Sequence, residues 1–599
     1  MIKIFSQINK IIWGLLLLNF SLFSDYNLAE SIDKLSKSKQ WHQLLHVKNG
    51  KSEIDDSHFF FAPTGKIDPK AELKASITKL ISDKSDDENS TLCYYPSRSQ
   101  WILENFPQLK KDIFIPQCKN LKEELKKLNP QEVTLVLASA HINSPASAFG
   151  HTFLRIDADS QTPLLSYAIN YAAQTNESNG FIYAYKGLFG GYEGRYSIAP
   201  YYKKIQEYSN LEQRDVWEYR LKLTPKEIHR LVLHIFEIRH FYADYFFLTE
   251  NCSYNLLWLL EVAKRDIELT KKFNIKAIPI DTLRAIINKN LVSKTIYRPS
   301  KRKKILKMSE AIHHNPIALK FAKSDDYNST LIKELNKNEK IASLDLASSL
   351  LQIKYNKHKI EKKEYLPKFL KLLKQRSKLG KIKNREIQEP PFPRSGHLSS
   401  KASISYTNKQ EMKARIKGSY HDIYDNDWGY IPGAYINFLD TSLSYKDNRA
   451  SIEEINLIDI RSYALQDAIF KPISWQVAVG AKRIFNNELN SYLQAGGGLT
   501  LGNRELYGYA TITPTIYYRR QEEHSISANV GLLYNPSSTL KLGLLGSHEW
   551  FDQQRTIKRL EPFLTYSINQ ESAINIRHEY RNINGLIEKA TMLSWFWYF

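Results

Sequence analysis

The chain has 599 residues, with 84 Lys+Arg against 63 Asp+Glu and a net charge of +21; its length exceeds what one hydrophobic core serves and predicts several folding units. The positive excess is spread along the chain, densest at 301–307 and 357–374, as on solvated helix faces, and no nucleic-acid fold signature stands beside it, so no nucleic-acid partner is expected. Beyond the N-terminus no apolar run reaches the roughly 20 residues of a spanning helix, which excludes a helical membrane bundle for the mature chain.

Lys3 and Lys10 come before an apolar stretch from Ile11 to Phe23 that is interrupted by Gly14, Asn19 and Ser21, and polar sequence resumes at Asp25. This pattern predicts a secretory signal over 1–24, cleaved near Ser24, with a retained anchor as the alternative. Export permits disulfides, and the three cysteines, Cys93, Cys118 and Cys252, cannot all pair. Three pairings exist. Cys93 and Cys118 bracket a short helical stretch (Ser97 to Phe106) and are close enough in sequence to bridge locally, which would leave Cys252 as a free thiol.

From 25 to 128 the chain is polar with short helical patterns, among them Pro69 to Ser82, where Leu73, Ile77 and Leu80 recur at helical spacing. This predicts an accessory helical segment. Over 129–295 the texture changes to short β-runs, Gly-rich loops and then helix. Thr224-Pro225-Lys226-Glu227 offers a cap, a proline at the first helical position and a glutamate that completes a capping box. Ile228, Leu231, Val232, Ile235 and Ile238 hold one face apolar, predicting a helix to about Tyr242. A second amphipathic helix is predicted to begin at Asn251-Cys252, with Leu256, Leu260 and Ala263 on one side. Residues 296–395 read as a basic helical segment closed by the stiff linker Glu389-Pro390-Pro391-Phe392-Pro393.

From 396 to 599 the period becomes two. Ile526, Ala528, Val530, Leu532 and Tyr534 alternate with Ser525, Ser527, Asn529 and Gly531, and Ile574, Ile576 and Tyr580 alternate with Asn575, Arg577, Glu579 and Arg581. Such segments recur between turns like Tyr534-Asn535-Pro536-Ser537-Ser538, about twelve in all, as in a modest antiparallel transmembrane β-barrel. In the last, Leu593, Trp595, Trp597 and Phe599 alternate with Ser594, Phe596 and Tyr598, which resembles the aromatic C-terminal signal of outer-membrane barrels. A soluble β-sandwich also alternates, but would carry this aromatic strand as an exposed edge.

Chemistry gathers on Cys252. At a helix N-terminus, unpaired N–H groups and the macrodipole favour the reactive thiolate. The candidate base is His151, where the turn Phe149-Gly150 opens onto an alternating strand. If 151–157 and 164–171 form a hairpin that pairs Asp157 with Leu164, Asn170 falls opposite His151 and can orient its ring. Asn143, His141 and Asp157 are alternative partners for the ring. The Gly187–Tyr196 stretch suits a mobile or closely approached loop beside a substrate, with Arg195 able to pair with a carboxylate or phosphate and Tyr192 and Asn251 as further candidate contacts. Nothing calls for a cofactor or a metal: His234 and His240 are six residues apart, off the spacing of a zinc helix, and no paired-cysteine, Gly-Lys-Ser/Thr or Gly-x-Ser-x-Gly motif occurs.

A Gly-His at the head of a strand, a polar residue on the next strand and a later Asn-Cys at a helix start resemble the circularly permuted NlpC-type papain-like hydrolases, which include the lecithin:retinol acyltransferase-like enzymes. More closely, residues from about Cys93 to Val262 are similar to the Lnb N-terminal periplasmic domain family, through Ala148-Phe149-Gly150-His151-Thr152-Phe153, Gly187-Leu188-Phe189-Gly190-Gly191-Tyr192 and Glu250-Asn251-Cys252-Ser253-Tyr254. The resemblance implies an α+β papain-like domain with helical flanks ahead of the barrel, with Cys252 and His151 catalytic and Asn170 the polar third residue. The expected protein is an outer-membrane-tethered cysteine hydrolase of the amidase or peptidase type, facing the periplasm. Its expected partners are outer-membrane lipid and an envelope substrate, such as a peptidoglycan peptide. A lipid or lipoprotein acyl hydrolase or acyltransferase is the second expectation, and a non-catalytic transport or binding protein the third.

Overall fold

The structure, a computed structural model, describes residues 28–140, 149–158, 162–177, 179–324, 326–327, 329–381, 386–485, 488–518, 522–552 and 554–599. The expected signal segment, and His141 and Asn143, lie outside the described residues. The described residues divide into two compact units, one falling within 1–137, 151–205 and 217–296, the other within 138–150, 206–216 and 297–599.

The first unit is built on a seven-stranded sheet. Its strands are β1 (Glu132–Ala138), β2 (His151–Asp157), β3 (Tyr167–Ala173), β4 (Glu193–Pro200), β5 (Val216–Leu221), β6 (Ala243–Asp244) and β7 (Val292–Arg298), in the order β6-β4-β3-β2-β1-β5-β7. The helix Pro225–Ile238 begins with the capping box predicted from Thr224 and Glu227, and ends at Ile238 rather than near Tyr242, because the chain turns there to enter β6. The helix Cys252–Ala263 departs from the amphipathic expectation: every one of its residues is buried. An all-round buried helix lies at the centre of its unit, and this one packs against Pro225–Ile238, β2 and β3.

The accessory segment packs onto this body. Asp68 caps the helix Pro69–Ser82, Trp41 and Trp101 stack at 5.1 Å, and a disulfide joins Cys93 to Cys118, leaving Cys252 as the free thiol. Arg98 clasps the two parts through ion pairs at 2.8 Å to Glu72 and at 2.8 Å to Glu237, all three side chains almost wholly buried.

In the second unit, helices including Lys301–Glu310, Pro316–Lys323, Lys337–Asn356 and Lys362–Ser377 share one apolar core. The rest is a closed barrel of twelve antiparallel strands, running from β8 (Lys401–Thr407) to β19 (Leu586–Tyr598), which pair with each other at the seam. The sequence alternation maps onto its two faces. Ile526, Val530, Leu532, Tyr534, Leu593, Trp595 and Trp597 are exposed outward, whereas Ser525, Ser527, Ser594, Phe596 and Tyr598 are buried inward. An apolar outer face around a polar interior is the pattern of a membrane barrel, and closure leaves none of the edges that a sandwich would expose. Inside, Ile423, Tyr435, Tyr463, Tyr507, Tyr509, Leu533 and Phe563 form one packed cluster.

Candidate active site

Asn251 supplies the local reason for the position of Cys252. Its Oδ1 accepts from the Ser253 and Tyr254 amides, at 3.0 and 3.3 Å, and so caps the helix whose first residue is Cys252. Its amide nitrogen donates to the carbonyls of Phe247 and Ala277. The side chain proposed to touch substrate therefore serves as a buried cap.

Cys252 is 4% exposed. Burial pushes its thiol pKa up, but the facing His151 ring, the Thr152 amide and the Tyr245 hydroxyl, all within hydrogen-bonding reach of the sulfur, bring it from 9.0 down to about 7. The sulfur and the imidazole are thus brought together from strand β2 and a helix start about a hundred residues later in the chain.

Asn170 joins them. Its Oδ1 lies 2.7 Å from His151 Nε2; a carboxamide oxygen only accepts, so Nε2 carries the hydrogen and Nδ1 is the ring nitrogen turned to the sulfur. The strand register that achieves this is not the expected one. Leu154 pairs with Ile169, and Ile156 with Tyr167, two residues away from pairing Asp157 with Leu164, which sits instead in the short helix Pro163–Leu165. A shift of two preserves the face each side chain points to, so Asn170 meets His151 diagonally across the ladder. Asp157 is bound elsewhere, to Arg155 at 2.7 Å and to the Ser166 hydroxyl at 2.6 Å.

Three neighbours were not legible in the sequence. The Tyr245 hydroxyl accepts from the Cys252 amide at 3.3 Å, so the N–H expected to stabilise an oxyanion is engaged in this state. The Thr152 amide faces the sulfur from the residue after the base. Glu250 lies beside this centre in sequence; burial, with Glu53 and Asp55 nearby, pushes its carboxyl up to about 8.

The glycine-rich stretch is different from expectation. Gly180–Phe189 is a helix, and a Cβ on Gly187 would fall 2.2 Å from the Phe247 ring, so this glycine serves a close helix-to-loop approach. Arg195 pairs with Glu193 at 2.9 Å and donates to the His240 carbonyl at 3.2 Å. Tyr192 is buried, its hydroxyl without a hydrogen-bond partner among the described residues.

The Lnb N-terminal periplasmic domain model matches residues 120–289. That span contains the cysteine, the histidine and the asparagine. Domains of unknown function match at 33–105, 295–387 and 390–598, and no curated protein matches the chain. Among solved structures, the NanC porin is 8% identical with a TM-score of 0.24, covering 34% of this chain and 100% of its own. The KdgM porin in complex with disordered oligogalacturonate is 9% identical with a TM-score of 0.23, over 34% and 99%. An outer membrane channel from Pseudomonas putida F1 is 9% identical with a TM-score of 0.24, over 37% and 100%. Likenesses this slight lend the chain neither a ligand nor an activity.

Proposed function

We propose that the chain is an outer-membrane-anchored thiol hydrolase whose catalytic unit faces the periplasm. The observation that carries the reading is the contact chain Asn170–His151–Cys252, which holds a thiol near pKa 7 at a helix start. In this scheme the Cys252 thiolate attacks a substrate carbonyl carbon, and the C=O electron pair moves onto oxygen. The helix start supports that oxygen once the Cys252 amide exchanges the Tyr245 hydroxyl for it. Collapse expels the leaving group, protonated by the His151 imidazolium, and leaves an acyl thioester. Water, deprotonated by His151, then releases the acid and restores the thiol. The papain-like resemblance, the match to a periplasmic domain and the apolar outer face of the barrel support this reading.

The proposed substrate is an envelope amide such as a peptidoglycan stem-peptide bond, with a lipid or lipoprotein acyl bond second. A non-catalytic binding role is favoured by one observation, the near-complete burial of Cys252. Mass spectrometry of Cys252 after incubation with envelope fractions separates these readings. An acyl adduct on wild type that is absent from Cys252→Ser supports hydrolysis, and an unmodified thiol that also fails to react with iodoacetamide faster than free cysteine at pH 7 overturns it.

A further inference from the structure

We propose that His397, His421 and Asp425, in the second unit, form a binding site for a divalent transition-metal ion of the zinc type, independent of the Cys252 centre. One nitrogen of each histidine and one carboxylate oxygen lie within 4.8 Å of one another, all three residues buried. The hydrogen bonds on the far side of each ring fix where the hydrogens are. His397 Nδ1 lies 2.6 Å from the Leu398 carbonyl, and His421 Nε2 lies 3.0 Å from Asp427 Oδ1. Both partners are acceptors, so in the neutral rings each of these nitrogens holds the hydrogen. That leaves His397 Nε2 and His421 Nδ1 with lone pairs facing each other at 2.9 Å.

Two lone pairs at that distance repel unless a proton or a metal ion lies between them, and the proposed occupant of that place is the metal. Asp425 Oδ2 completes the triangle at 3.7 Å from His397 Nε2 and 4.0 Å from His421 Nδ1. The outer contacts are those that metal-bound imidazoles require, a carbonyl on one ring and a carboxylate on the other. Two imidazoles and one carboxylate form a ligand set suited to Zn²⁺ with a fourth position left for water. Tetrahedral zinc bonds of about 2.0–2.1 Å separate two nitrogens by about 3.3 Å, so the rings need to part by only a few tenths of an ångström.

Charge sets the competition. Asp425 also pairs with Lys401 at 2.6 Å and with Lys417 at 3.0 Å. The ion would compete for Oδ2 with Lys417, which keeps its 3.1 Å contact with Asp422, and with the Asp422 amide, which donates to the same oxygen at 2.9 Å. Lys541 holds Asp427 at 2.8 Å, so the outer carboxylate is itself balanced. Because His421 ends one barrel strand, Met412–His421, and Asp425 lies in the following loop, an ion there would tie that loop to the barrel wall.

The test uses full-length protein in detergent, carrying His313→Ala and His314→Ala to remove an exposed histidine pair. The protein is unfolded, stripped with chelator and refolded oxidatively with Zn²⁺ or Co²⁺. The expected result is one equivalent retained through gel filtration, a four- or five-coordinate cobalt spectrum, and at least a tenfold loss of affinity in His421→Gln and His397→Gln, with heat-modifiable migration showing the barrel intact. A folded barrel that retains no metal overturns the proposal, as does retention unchanged in both glutamine variants. If those variants do not fold, zinc-edge absorption on the loaded parent decides: two imidazole scatterers support the site, and a shell of oxygen alone overturns it.

Discussion

His151 donates its Nε2 hydrogen to Asn170 Oδ1 at 2.7 Å, and this one bond commits the opposite ring nitrogen to the Cys252 sulfur. Replacing Asn170 with aspartate keeps the geometry and adds a charge, which favours the imidazolium. The expected outcome is a rise of about 1 unit or more in the upper pKa of the pair, read by NMR of the ring protons. Asn170→Ala should lower the rate of Cys252 alkylation at pH 7 without unfolding the protein.

The thiol itself titrates near 7 rather than 9.0. Alkylation by iodoacetamide should therefore rise with pH to half its maximum at about 7, and His151→Ala should move that midpoint upward by about 1–2 units. The folded-state pKa is the depressed one, so the stability contributed by the thiolate is fully present above 9.0 and is lost as pH falls through about 7. Chemical denaturation of wild type and Cys252→Ala across this window measures the difference.

Tyr245→Phe removes the hydroxyl that bridges the Cys252 amide and sulfur. Alkylation at pH 7 is expected to slow as the thiol pKa rises. If substrate oxygen takes the vacated amide, the variant retains turnover; if the hydroxyl is itself needed in the transition state, kcat falls with KM unchanged.

Arg98 stands between Glu72 and Glu237 with all three side chains almost fully buried. Arg98→Ala would leave two carboxylates without their counter-charge, and a destabilisation of about 3–5 kcal/mol is expected. Urea denaturation followed by tryptophan fluorescence reports it directly, since Trp41 and Trp101 stack in the same accessory segment.

Much of this was legible in residues, and the remainder had physical reasons to hide. Strand alternation such as Ile526 to Tyr534 is local, because side chains at period two must sort into faces, and so the barrel and its number of strands could be read directly. Cys252 and His151 stood out because cap and turn chemistry flank them. The partner register did not, since Leu154 opposite Ile169 depends on where the intervening loop ends, and only its parity was constrained. Tyr245 reaches the Cys252 amide and sulfur by folding back of the chain, which no periodicity records. The glycines at 187 and 190 read as loop freedom in the sequence, which shows an absent side chain but not the aromatic rings, Phe247 and Phe246, that need the room.

The barrel seam carries a consequence for how the protein is held. Ser405 and Ser594 join through their hydroxyls at 2.8 Å, where the first strand meets the thirteen residues of the last. A chain interrupted ahead of Leu586 would have two unsatisfied sheet margins and no sealed cylinder, yet would keep every atom around Cys252. Closure of the cylinder and possession of the thiol are therefore separable properties of one polypeptide, and loss of that terminal ribbon would open the barrel wall while the sulfur and its ring partner stay in the chain.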